Sequence, residues 1–294
     1  MNEYVPSKEI LDKYADVMIN FALNGGEGVK PGEVVLITVP ESARPFYDSL
    51  YEVAIKAGAH PMMRLIAQGN ELFFYENATT EQLSFFPLKY YQGLIDQVDH
   101  TISVSAPDDL KRLSSVDKKK IFEHHKALQP AHEIHDKKEH EGKLFWTLCM
   151  YGTSAMAQEA GLSLKEYWAE IIHACYLDED DPVAHWKDFK KKADEYKRKL
   201  DEMDIEYLDV VSQRTNLRIG LGKNRRWLGA RCHNIPSFEL FISPDWRETR
   251  GNIQFTEPLY RYGNLIENAY VEFGDDGCVK KATATQGEEV LLEM

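Results

Sequence analysis

The sequence predicts an α/β protein: an N-terminal parallel α/β sheet domain over residues 1–204, then a β-rich α+β domain over residues 205–294 that reads as incomplete at its C-terminal end. Three observations carry this expectation. Between residues 33 and 105, short β-branched runs alternate with stretches of helical period. The part from Glu33 to Ile66 holds strand, helix and strand in about thirty residues, the length of a βαβ unit with a right-handed crossover. Beyond Ile205 the helical period gives way to short runs separated by turn residues.

Taken in order, Ser7 stands as N-cap before a helix whose Ile10, Leu11, Tyr14, Val17, Met18 and Phe21 recur at helical spacing up to Gly25-Gly26. After the turn at Pro31-Gly32, the continuous apolar run Glu33–Val39 reads as a strand buried on both faces. Ser42 is expected to cap the next helix, which carries Phe46, Leu50, Val53 and Ile55 to Gly58. His60–Ile66 is the second strand, Thr80–Tyr91 the centre of a helix, Asp99–Ser105 the third strand and Leu144–Leu148 the fourth. Ser163 with Glu166 forms a capping box before a helix through Trp168, Ile171, Ile172 and Cys175. Trp186–Leu200 is a lysine-rich amphipathic helix with Trp186, Phe189, Ala193, Tyr196 and Leu200 as its apolar face.

The second domain is expected to hold strands at Tyr207–Val211, Leu217–Leu221, Trp227–Arg231, Glu239–Ile242, Gly251–Phe255, Ala269–Phe273, Cys278–Thr283 and Val290–Leu292. Asp275-Asp276-Gly277 supplies a hairpin turn between two of them.

With 294 residues the chain can bury one large or two ordinary cores, and its net charge of −13 argues against a nucleic-acid backbone as its main partner. The N-terminus has neither a basic start nor an apolar signal segment, and no run is long and apolar enough to cross a bilayer. The four cysteines show no CxxC spacing, so the expectation is a cytoplasmic protein with reduced thiols and no membrane partner.

Three stretches invite a functional reading and fall short. His132-Glu133-Ile134-His135 has its histidines three apart, whereas a zincin helix needs them four apart to face one metal. Gly220-Leu221-Gly222-Lys223-Asn224-Arg225 lacks the third glycine of a dinucleotide fingerprint and no helix follows it. The basic turn Lys223, Arg225, Arg226, Trp227 is short and stands in an acidic chain, as a hairpin tip does.

The fourth stretch is Asn234–Pro244, which sets Glu239 among Phe238, Leu240, Phe241 and Ile242 between two prolines. Burying a carboxylate there requires a compensating cation, arginine or metal. Read as a strand, the stretch puts Ile235, Ser237, Glu239 and Phe241 on one face. Glu239 then looks either into a cleft or out from the solvent face of an edge strand.

These residues carry a resemblance to the thermophilic-type metallo-aminopeptidases, the group of aminopeptidase T, aminopeptidase S and PepS. Val29–Ile37 resembles the opening strand of that family, and Ala57-Gly58-Ala59 the turn that follows. Ala155–Tyr167, with Asp181-Pro182-Val183 and Trp186, is similar to its mid-chain helices. Thr215-Asn216-Leu217 stands where the family has Thr-Asp-Leu, and Asn234–Pro244 resembles its Asn-x-Pro…Glu…Pro motif.

The resemblance implies hydrolysis of N-terminal residues from peptides at a two-metal centre holding zinc, cobalt or manganese, in a homodimer. It implies Glu239 as a metal ligand. The family's other ligands lie further along the chain and have no counterpart here before Met294. Phe238, Asn216, Gly152 and Ser154 depart from the family pattern, and none of these departures removes a ligand. His233, next to the motif, reads as a surface or packing histidine. Two readings follow: an aminopeptidase portion inactive by itself, or a binding protein that keeps the scaffold without the chemistry. An unfinished strand edge at Val290-Leu291-Leu292 leads to the expectation of association with another chain.

Overall fold

The computed structural model describes residues 4–229, 232–261 and 264–294. The chain divides into two compact units, residues 1–191 with 230–238 and residues 192–229 with 239–294. The first unit carries α1 (Lys8–Asn20), β1 (Val34–Pro40), α2 (Arg44–Lys56), β2 (His60–Ile66), α3 (Asn70–Asn77), α4 (Thr80–Leu83) and α5 (Leu88–Gln97). It continues with β3 (His100–Ser105), α6 (Lys118–Ala127), α7 (Gln129–His140), β4 (Phe145–Met150), α8 (Ser154–Glu159) and α9 (Leu164–Ala174).

Helix α10 (Pro182–Glu202) runs on into the second unit, where β5 (Tyr207–Ser212), β6 (Thr215–Gly220) and β7 (Leu228–Gly229) follow. The chain returns to the first unit for β8 (Asn234–Ile235). It then completes the second with β9 (Leu240–Phe241), β10 (Asp245–Gln254), β11 (Leu259–Arg261), β12 (Asn264–Ile266), β13 (Tyr270–Phe273), β14 (Val279–Thr283) and α11 (Glu288–Glu293).

The first unit is built on a parallel sheet in the order β2-β1-β3-β4-β8. Strand β1 has helices to satisfy on both of its faces, which is why its sequence is apolar throughout. Val35, Ile37 and Val39 enter the main core with α1 and α2, while Leu36 joins Leu94, Ile95, Val98 and Leu144 on the opposite face. Ser7 caps α1 by accepting from the Ile10 amide, and the helix buries Leu11, Tyr14, Val17 and Met18. The Ser163–Glu166 capping box starts α9, whose Trp168 is fully buried and donates to the Gly152 carbonyl at 3.1 Å. Trp186 of α10 is likewise buried and donates to the Cys175 carbonyl at 3.1 Å, so neither indole N–H is left unsatisfied.

Several expectations change in this unit. Ser42 does not cap α2: it lies in a short 3-10 turn, and its hydroxyl donates to the Ala106 carbonyl at 2.6 Å. The single helix expected around Thr80–Tyr91 is two, because Pro87 disfavours helical backbone at Phe86 and α5 starts after it. Tyr196 is exposed rather than on the apolar face of α10, with the Lys199 ammonium over its ring.

The second unit holds an antiparallel sheet in the order β14-β13-β10-β6-β5. Directly opposed on β5 and β6, Asp209 accepts two bonds from the Arg218 guanidinium at 2.7 and 2.8 Å. The turn at Asp275-Asp276-Gly277 joins β13 to β14, and Asp276 accepts from the Cys278 amide. Of the strand expected at Trp227–Arg231, Leu228–Gly229 is strand, and Ala230 and Arg231 lie outside the described residues.

The segment expected as a terminal strand, Val290–Leu292, is instead part of helix α11. Glu288 and Glu289 occupy its first turn, where carboxylates favour a helix, and Val290 packs against Ile266 and Ala269. A helix leaves no row of unpaired strand groups, so the ground for expecting edge-to-edge association at this segment is gone.

The packing around Trp186 generates a test. Trp186→Ala should lower the stability of the first unit by about 3–5 kcal/mol, as loss of a buried tryptophan does. The shift of its urea transition measures this, and a loss below about 1 kcal/mol would contradict the burial described.

Candidate functional site

Asn234–Pro244 is not one strand. Asn234 and Ile235 form β8, the Ile235–Pro236 peptide is cis, and strand pairing resumes only at Leu240. The alternation expected from Ile235 to Phe241 therefore does not exist, because the stretch belongs to two units with separate cores. Ile235 is buried in the first unit. Phe238 stacks on Trp186 at 5.5 Å between centroids and meets Phe189 edge-on at 5.2 Å.

Glu239 opens the second unit's part of the stretch. Its backbone is fixed by the β7–β9 pair, in which Gly229 lies opposite Leu240. Gly229 has φ +130°, and a Cβ there would stand 2.1 Å from the Glu239 carbonyl oxygen, so glycine is required. The Glu239 side chain is exposed, and it makes no hydrogen bond or ion pair among the described residues.

An open basin of about 1060 Å³ in the second unit is lined by Tyr207, Arg218, Arg225, Asp245, Arg247 and Glu248, and Glu239 is not part of its wall. Several of its charges are tied down. Arg218 is paired with Asp209, Arg225 donates to the Ser243 carbonyl at 2.6 Å, and the Arg247 Nε donates to Asp245 at 2.8 Å. The Trp227 amide donates to Asp201 at 2.9 Å. The basic turn is tied down at Arg225 and Trp227, but it closes no hairpin: β6 before it pairs with β5 and β10, and β7 after it pairs with β9.

The histidine-rich helices behave differently from the sequence expectation in one respect. His132 is exposed on α7, but His135 groups with Asp136 and Glu139, all with ligand atoms within 4.8 Å of one another. His233 is half-buried, stacks on Trp146 at 4.2 Å and lies 3.6 Å from Glu139. The informative spacing is His135 to Glu139, four apart and on one helix face, rather than His132 to His135, three apart.

Comparison with known proteins places the chain in the class of metalloproteases. More particularly, residues 7–294 match the thermophilic metalloprotease (M29) family, and the chain belongs to that family. Aminopeptidase PepS of Streptococcus thermophilus is 26% identical over 98% of this chain and 73% of its own length. Aminopeptidase T of Thermus thermophilus is 26% identical over 98% of this chain and 74% of its own. The solved structure of wild-type AmpT from Thermus thermophilus superposes with a TM-score of 0.82 at 25% identity, covering 97% of this chain and 74% of that one. No helix among the described residues is long and apolar enough to cross a membrane.

Use of a divalent metal goes with the family. A catalytic zinc-type ion needs three protein ligands, and no group of three ligating side chains among the described residues includes Glu239. The described residues therefore do not complete a metal centre at Glu239.

The basin supplies a pH test. Hydrogen bonds from Arg247, opposed by desolvation, hold the Asp245 carboxyl at about 2 against an ordinary 3.8. A depressed carboxylate stabilises the fold above its unfolded value, and that contribution is lost as pH falls from about 4 towards 2. Arg247→Ala should return Asp245 towards 3.8, as followed by its carboxyl carbon shift in an NMR titration. An unmoved midpoint would show that Arg247 does not hold it.

Proposed function

We propose that this chain carries the scaffold and one ligand arm, Glu239, of a metal-dependent aminopeptidase, and that by itself it does not hydrolyse peptides. In this reading Glu239 lends its carboxylate to a two-metal centre of zinc, cobalt or manganese. Such a pair of ions activates a water and polarises the scissile carbonyl of an N-terminal residue. The other ligands of that centre are not among the described residues. Peptide substrates, a homodimer and a cytoplasmic setting belong to the same reading.

One observation carries it: Glu239 is exposed and unpaired, held by the Gly229 contact at its backbone while its carboxylate is left available. The family membership supplies the class of reaction. The alternative, a binding protein on the same scaffold, draws on the lack of a three-ligand group around Glu239 among the described residues.

Two measurements test this reading. Release of nitroaniline from leucine p-nitroanilide should stay at the buffer rate for this chain with each of the three metals. Metal-dependent release that Glu239→Gln abolishes would overturn the inactivity. A chimera that continues residues 1–294 with the segment following the matched region in Thermus thermophilus aminopeptidase T should gain metal-dependent activity. Glu239→Gln should then lower that activity by about a hundredfold or more, since even outer partners of a metal contribute 10- to 100-fold. A folded chimera without activity would favour the binding protein.

A further inference from the structure

We propose that His135, Asp136 and Glu139 of α7, together with His233 ahead of β8, bind a zinc-class transition-metal dication within the first unit. The helix places His135 and Glu139 one turn apart on the same face. Both are only about a quarter exposed, at 21% and 25%. The carboxylate of Glu139 faces two imidazoles at once: Oε2 lies 4.0 Å from His135 Nδ1, and Oε1 lies 3.6 Å from His233 Nε2. Asp136 adds a second carboxylate, 3.7 Å from the same His135 nitrogen.

These separations decide the chemistry. An imidazole hydrogen-bonded to a carboxylate would sit at about 2.7–3.2 Å. Ligand atoms on a tetrahedral ion with bonds of about 2.0–2.1 Å stand roughly 3.4 Å apart. Distances of 3.6–4.0 Å are thus too long for hydrogen bonds; His135, Asp136 and Glu139 already bring ligand atoms within 4.8 Å of one another, and rotation of these partly exposed side chains would bring His233, 3.6 Å from Glu139 Oε1, to the same cation.

The surroundings hold the groups in place. The Trp146 indole N–H donates to Glu139 Oε2 at 3.0 Å, and its ring stacks on His233 at 4.2 Å with 21° between the planes. The His233 carbonyl accepts from the Leu148 amide at 2.7 Å, so the histidine is fixed from its backbone as well. A donor that orients a ligating carboxylate and a ring that orients an imidazole are the outer contacts a metal site uses. Two imidazoles with carboxylates select zinc, nickel or copper over magnesium or calcium. Bound there, the ion would tie α7 to the segment that leads into β8.

Zinc ion alone, titrated calorimetrically into chelator-stripped protein, is the probe. Wild type should show a saturable site, and zinc should raise its melting temperature. His135→Ala and His233→Ala should each weaken binding by about tenfold or more. His132→Ala, on the same helix, should leave it unchanged. Circular dichroism of each variant distinguishes lost ligation from lost folding. On the unaltered protein, zinc should shift the Cε1–H resonances of His135 and His233 together, so the test does not depend on any variant folding. Unchanged affinity in His135→Ala or in His233→Ala, or zinc shifts confined to other histidines, would overturn the assignment.

Discussion

The return of the chain to the first unit rests on a short piece of sheet. Strand β8 adds two residues to β4, with Leu148 opposite Asn234 and Cys149 opposite Ile235, and the Leu148 amide bonds the His233 carbonyl at 2.7 Å. So short a pairing would not persist unaided. It is held because Cys232 and Ile235 lie in the main core, and burial of an isoleucine side chain contributes about 1.5–3 kcal/mol. Phe238 adds its stack on Trp186. From this anchoring follows where the second unit resumes, at Glu239, and how the His233 ring comes to face Glu139.

The family membership and the ligand geometry bear on different parts of the molecule. The chain belongs to the metalloprotease family, and Glu239, which the resemblance to metallo-aminopeptidases singles out, sits on a backbone that only glycine at position 229 permits. Yet an exposed carboxylate with no neighbouring ligands among the described residues has little hold on a dication, since affinity grows with the number of converging donors. The richer convergence of donors lies in the first unit, around Glu139.

Much of the first unit could be read from the sequence, and the reasons are local. The run Val34–Val39 has no polar face, so it had to be a strand covered on both sides; Ser7 and the Ser163–Glu166 box fixed helix starts by satisfying free amides. What failed depended on contacts remote in sequence. Ser42 looked like a cap, but Ala106 claims its hydroxyl. Val290-Leu291-Leu292 suits strand or helix alike, and packing against Ile266 and Ala269 decided for helix. Asn234–Pro244 read as one strand because its pattern alternates, while its two ends answer to two cores. Glu239 was legible as a singular residue, but its exposure was not. His233 read as a surface or packing histidine beside the motif, and it does pack on Trp146, but that partner and Glu139 reach it from elements roughly a hundred residues away, a separation that no local pattern records.

The placement of both Glu239 and His233 depends on residues 232–238 belonging to the first unit. Native-state hydrogen exchange at the Leu148 amide tests this directly, with the Tyr151 amide, bonded to Ser105 across β3, as the internal standard. Protection of Leu148 comparable to that of Tyr151 is the predicted result. Exchange at the rate of an open strand edge would mean that β8 does not pair, and that neither Glu239 nor His233 stands where this account puts it.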